Sequence, residues 1–120
     1  MADATLTLHD PVATAPCALR ATFCVGTAHP LLAGHFPGAP IVPGVLLLDA
    51  VRAAWERASG VPCVLRGIDE VRWFQPLAPG VAAELRAEVT TDEARVLVAG
   101  EWRTEAGRIA AFRLQLAPRA

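Results

Sequence analysis

One stretch limits what this chain can fold into. From His29 to Arg52 it reads HPLLAGHFPGAPIVPGVLLLDAVR, a loop punctuated by proline and glycine that runs straight into an apolar helical segment. Pro37, Pro40 and Pro43 each fix φ at about −65°, while Gly34, Gly38 and Gly44 permit turns and close backbone approach, so the loop is expected to be held still. His35 lies inside it. Past Pro43 the run Gly-Val-Leu-Leu-Leu-Asp-Ala-Val carries a single carboxylate amid hydrocarbon. A lone acid on an amphipathic helix is ordinarily solvated, and a lone histidine beside glycine is ordinarily a loop or core residue. Here Leu46, Leu47, Leu48, Ala50, Val51, Ala53 and Ala54 leave no broad polar stripe before Arg52, Glu56 and Arg57, so the first two turns are expected to be buried. A buried Asp49 must be paired or keep its proton, because ionising a carboxyl away from water is costly and shifts its pKa upward. That would suit a general acid, with His35 as its natural companion.

The helix should run over 44–59, about four turns, and stop at Gly60 and Pro62, a glycine-then-proline ending. Upstream, 18–25 places Leu19, Ala21, Phe23 and Val25 on one face with the period of a half-buried strand. Downstream there is no further helical periodicity. Four strand-like runs follow, 63–74, 81–90, 94–104 and 108–117, separated by Pro79-Gly80, Thr91-Asp92-Glu93 and Glu105-Ala106-Gly107, each short enough to join antiparallel neighbours. Residues 1–16 alternate briefly at Thr5 to Leu8 and read as a loose arm or an edge strand. Strand, helix, then consecutive strands calls for an antiparallel sheet curled round one long central helix, an α+β layout in a single domain over 1–120.

Composition removes several alternatives. No segment approaches a membrane-spanning length of apolar residues, and 1–16 has acids and prolines where a signal peptide has a basic start and an apolar centre, so a soluble cytoplasmic protein is expected, with no membrane role. The net charge of −1 excludes nothing by itself, and no nucleic-acid partner is expected. Hydrophobic residues make up 53% of the sequence and charged ones 19%, which fits surface hidden between subunits. Cys17, Cys24 and Cys63 match no zinc spacing and form no even framework, so they are expected to be reduced, buried thiols. All 11 basic residues are arginine, and lysine, asparagine and tyrosine are absent, which rules out a Schiff-base lysine, a Walker loop and a tyrosine acid. His29 precedes proline and is read as structural.

From Gly34 to Asp49 the pattern Gly-His-Phe-Pro-Gly-x-Pro-x-x-Pro-Gly-Val-x-x-x-Asp resembles the active-site motif of the 3-hydroxyacyl-acyl-carrier-protein dehydratases, which are hotdog-fold enzymes. A second, shorter match runs from Val71 to Gly80, Val-Arg-Trp-Phe-Gln-Pro-Leu-Ala-Pro-Gly. The resemblance implies dehydration of a 3-hydroxyacyl thioester to the trans-2-enoyl thioester, with His35 and Asp49 as the catalytic pair. It implies that the Gly44 N–H, with Val45, polarises the thioester oxygen, and that Phe36 and Pro43 belong to the substrate loop. It further implies a site taking His35 from one protomer and Asp49 from its partner, hence a homodimer, a higher oligomer or a heterodimer with another hotdog subunit. The substrate would arrive on the phosphopantetheine of acyl carrier protein, with Arg66 and Arg72 as candidate contacts; no metal and no other cofactor is called for.

Two departures from the family pattern bear on anchoring and chain selectivity: Ala53 stands where a glutamine is usual, and Val81 where an aspartate is. Asp rather than Glu at position 49 resembles the branch that also isomerises the new double bond, and the HPLLAGHFPG opening is similar to short members serving polyketide-type and aryl-polyene pathways. The competing readings are a hotdog thioesterase and a partly or wholly non-catalytic subunit of a heteromer. Hydratases with an Asp-x-Asn-x-x-His segment are excluded by the lack of asparagine.

Overall fold

Alternation of inward and outward residues is clearest in Cys17–Val25, where Leu19, Ala21, Phe23 and Val25 turn inward. The computed structural model describes residues 4–9, 15–27 and 41–119. Six strands, β1 (Ala4–His9), β2 (Cys17–Val25), β3 (Cys63–Trp73), β4 (Ala83–Asp92), β5 (Arg95–Thr104) and β6 (Gly107–Pro118), form one antiparallel sheet in the order β1-β2-β4-β5-β6-β3. One helix, α1 (Gly44–Ser59), packs on it. The strand bounds fall within one or two residues of those expected, and the N-terminal alternation proves to be the edge strand β1, paired with β2 from Ala4↔Val25 to His9↔Arg20.

The helix ends where glycine permits it. Gly60 takes the left-handed conformation at φ 74° and donates its N–H to Glu56 O at 2.9 Å. Leu47, Leu48, Ala50, Val51, Ala54, Trp55 and Ala58 form the buried stripe of α1. Trp102 of β5 is fully buried beneath it, 5.9 Å from the Phe23 ring centroid, and its Nε1–H donates to Leu47 O at 3.0 Å. That bond ties helix to sheet in the dry core. Trp102→Phe keeps most of the ring volume and loses the bond, so unfolding by urea should show a loss of about 1–2 kcal/mol.

One expectation fails here. The first two turns of α1 are not buried all round: Val45 is 65% exposed and the Asp49 side chain 59% exposed. A single sheet layer covers one face of a helix, and Val45, Asp49, Arg52 and Glu56, spaced by four, three and four residues, share the face turned away from it. The cysteines also depart from the expected burial, since Cys63 is buried whereas Cys17 and Cys24 are half-buried. At the other edge of the sheet β3 pairs with β6 through two register shifts, Leu65/Gly67 and Ile68/Glu70, and leaves Val64 and Ile68 exposed. Among the described residues no helix is long and apolar enough to cross a membrane.

Candidate active site

Pro43 caps α1 with φ −59° and ψ 136°, an extended residue with no side chain to offer the helix amides. The Leu46 N–H closes a tight turn onto Pro43 O at 3.0 Å. Among the described residues no acceptor meets the Gly44 or Val45 N–H, and the first turn of α1 holds no acid. Amides at the positive end of a helix that meet no acceptor among the described residues favour an oxygen that is gaining negative charge.

Gly44 also forms part of the wall of a cavity of about 450 Å³, lined with Ile41, Val42, Leu47, Trp73, Phe74, Pro76, Leu77 and Ile109 together with the polar Gln75, and mostly apolar. The benzo edge of the Trp73 indole lies directly over Gly44: a Cβ there would come within 2.6 Å of Trp73 Cζ2 and 2.7 Å of Cη2. Any side chain at the helix start would therefore have to push the Trp73 ring aside. Phe74 stands beside it at the mouth, capped by the Arg108 guanidinium at 4.3 Å from the ring centroid.

The second sequence motif is bonded to Val42 of the first. Val42 N–H donates to Leu77 O at 2.8 Å, and Gly80 N–H donates to Val25 O at 2.7 Å. The chain on either side of the His35 stretch is therefore fastened to one short segment. Gln75 Nε2 anchors that segment in turn, donating to Ala106 O at 3.3 Å and Arg108 O at 2.9 Å. His29, His35 and Phe36 lie outside the described residues.

Asp49 does not line the cavity. It sits on the outward face of α1, where its Oδ1 accepts from Arg52 Nε at 2.7 Å. Within one chain the structure therefore brings Gly44 to the cavity, leaves Pro43 as the helix cap next to it in sequence, and sets the Asp49 and Val45 side chains on another face. The premise of a desolvated carboxyl does not hold for the single chain, because hydrocarbon neighbours in sequence point to the opposite side of the helix. Sequence reasoning missed the Asp49–Arg52 pair, although acid and base three residues apart on a helix were the signal for it. Of the candidate carrier-protein contacts, Arg66 and Arg72 are both exposed on β3, and Arg72 pairs with Glu70 at 2.9 Å.

Cys63 opens β3 and faces inward, and its burial pushes the thiol up from the ordinary range, with the charge of Glu56 adding to the effect. The half-buried thiol of Cys17 is raised likewise by burial and by Glu88. With lysine and tyrosine absent, thiols dominate the alkaline titration. Folded thiols that hold their protons more tightly than unfolded ones stabilise the chain fully below the ordinary thiol pKa, and this stability is lost as pH rises through the folded value. Urea midpoints should accordingly fall between about pH 8 and pH 10, and by less in Cys63→Ala.

A helix laid across a six-stranded antiparallel sheet in this order makes the chain a hotdog-fold protein, and solved structures agree. The dehydratase heterocomplex ApeI:P from Xenorhabdus doucetiae superposes with a TM-score of 0.71 at 18% identity, covering 92% of this chain and 93% of that one. An uncharacterized protein from Erwinia carotovora superposes with a TM-score of 0.72 at 19% identity, covering 95% and 97%. In sequence, residues 13–110 match the ApeI-like pattern, ApeI dehydratase, and the chain belongs to that family. The 3-hydroxyacyl-[acyl-carrier-protein] dehydratase FabZ of Haemophilus influenzae is 38% identical over 79 residues, 59% of this chain and 53% of that protein. The chain spans about half the length of the curated relatives it matches.

Proposed function

We propose that this protein dehydrates 3-hydroxyacyl thioesters carried on acyl carrier protein to trans-2-enoyl thioesters. The observation that carries the reading is the mostly apolar cavity walled by the amide end of α1, beside which Val42 and Val25 are both fastened to the 77–80 segment. Membership of the ApeI dehydratase family and the likeness to FabZ supply the reaction class.

The hydrocarbon part of the substrate lies in the cavity, and the thioester oxygen accepts from the Gly44 and Val45 N–H groups. His35 Nε2 takes the C2 proton, the electron pair forms the C2=C3 bond, and the C3–O bond breaks. Asp49, as the acid, gives its proton to the departing hydroxyl, directly or through a water, and the C2 proton held on His35 then returns to Asp49 by way of solvent, so that one water leaves in all. Phe36 and Pro43 shape the loop side of the substrate. Base, proton relay and oxygen-binding amides all come from the polypeptide, so the chemistry needs no metal and no cofactor beyond the substrate's phosphopantetheine.

The site is composite, with His35 of one protomer meeting Asp49 of its partner. Exposure of Asp49 and Val45 on the face of α1 away from the sheet supports this, since a residue that completes a neighbour's site must be reachable from outside its own chain. The partner is a second copy or another hotdog subunit; the ApeI:P assembly of Xenorhabdus doucetiae is a heterocomplex. We assign the protein to the cytoplasm and to polyene or polyketide-type biosynthesis as one single-domain unit.

Incubation of the purified protein with 3-hydroxyacyl carrier protein should give, by mass spectrometry, an acyl arm lighter by one water with its thioester intact. Release of free acid would replace this reading with a thioesterase. Turnover that begins only on adding a second hotdog subunit would assign half of the site to that subunit.

A further inference from the structure

The outward face of α1 carries a chain of contacts that begins at Asp49 and ends in the backbone of β3. Arg52 Nε donates to Asp49 Oδ1 at 2.7 Å, and Nη2 reaches Oδ2 at 3.5 Å. The remaining guanidinium nitrogen, Nη1, lies 3.2 Å from Glu56 Oε1 and donates to Cys63 O at 3.4 Å. Glu56 is fixed in its turn: its Oε1 accepts the Cys63 N–H at 2.9 Å and lies 3.6 Å from Arg119 Nη2. Arg52 is only 20% exposed, against 59% for Asp49.

We propose that Arg52 is a positioning residue for the dehydration: its guanidinium holds Asp49 in the one side-chain orientation that reaches a substrate bound at the neighbouring site. The inference rests on the role given to Asp49 above. An exposed pair three residues apart on a helix is ordinarily a loose surface contact. This pair differs in that one member, Arg52, is half-buried and gripped from the strand side. The fork of Arg52 points one edge at both carboxylate oxygens while its other edge is held by Glu56 and Cys63. A planar guanidinium makes both attachments at once, which a lysine ammonium does not. Asp49 left without it would be free to visit every rotamer open to an aspartate on a helix surface. An acid that must reach the hydroxyl of a substrate held elsewhere gains its rate from being placed beforehand.

The test is the steady-state kinetics of Arg52→Met, Arg52→Lys, Glu56→Gln and Asp49→Asn on 3-hydroxyacyl carrier protein, each checked for melting temperature. Arg52→Met should lower kcat by about ten- to a hundredfold and leave KM within about twofold, since placement and not substrate binding is lost. Arg52→Lys should recover part of kcat. Glu56→Gln, which leaves the guanidinium in place but loosens it, should lower kcat in the same direction by less, and it decides the matter if Arg52→Met fails to fold. In an Asp49→Asn background the Arg52→Met change should add nothing further. A wild-type kcat in Arg52→Met, or in Glu56→Gln when that variant must decide, overturns the proposal. So does a loss confined to KM, or one that adds in full to that of Asp49→Asn. Inactive Asp49→Asn beside fully active Arg52→Met would remove the positioning role alone, whereas fully active Asp49→Asn would remove the role of Asp49 and this inference with it.

Discussion

His35→Ala and Asp49→Asn protein should each turn over 3-hydroxyacyl carrier protein about 10²- to 10⁴-fold more slowly than the natural chain, and mixing the two should restore activity. Removal of a group that moves a proton in the transition state carries that cost. Restoration follows from geometry. In a homodimer whose sites each draw His35 from one protomer and Asp49 from the other, a mixed dimer of the two variants carries one site with both groups intact and one with neither. Random exchange of subunits makes half of the dimers mixed, each with half of its sites working, so about a quarter of wild-type activity should return. Mixing that restores nothing, under conditions where exchange is shown by mass, would place both groups within one chain or assign one of them to a different subunit. The exposure of Asp49 makes this the sharpest measurement on the proposed site.

The largest effect on stability should come from a residue far from the chemistry. A Cβ at Gly100 of β5 would meet Arg86 O at 2.2 Å and the Ala87 Cα and Cβ at 2.6 Å, all belonging to the strand directly opposite, where Ala87 pairs with Gly100. No flexible side chain can swing aside to make room for the two backbone atoms, so β4 and β5 must part or twist locally. Gly100→Val should therefore destabilise the fold by about 3 kcal/mol or more, and calorimetry should record a melting temperature lower by about 10 °C or more. Gly67 of β3 provides the contrast, since its nearest neighbour would be the Gln115 side chain at 3.9 Å; Gly67→Ala should melt within about 3 °C of the natural chain.

Much of the architecture could be read from local pattern. The two-residue period of 18–25 and the Gly60 stop of the helix both appear where sequence places them, because burial alternation and left-handed glycine are properties of a few neighbouring residues. The order of the strands could not be read that way. That β3 lies at the far edge, beside β6 and not beside the strand that follows it, depends on pairings between residues as distant as Cys63 and Pro118. The same division runs through the site. The motif around Gly44 was visible in the sequence, but the Trp73 indole above it and the Leu77 and Gly80 backbone bonds were not, since each joins segments that meet only in three dimensions. The misreading of Asp49 has a particular cause. A sequence window counts how many apolar neighbours a residue has, whereas exposure depends on which way they point, and Leu47, Ala50, Val51 and Ala54 all point toward the sheet.

The backbone bonds from Val42 to Leu77 and from Gly80 to Val25 have a practical consequence for redesign. Anyone transplanting the histidine stretch into a foreign sheet would carry across only half a device, because its two feet would stand on nothing. The graft has to include the donor's 75–80 turn as well, and with it a receiving hairpin that offers carbonyls to Gln75. Swaps between relatives should then succeed or fail as a matched set, and shuffled libraries that cut between the two segments should be largely dead.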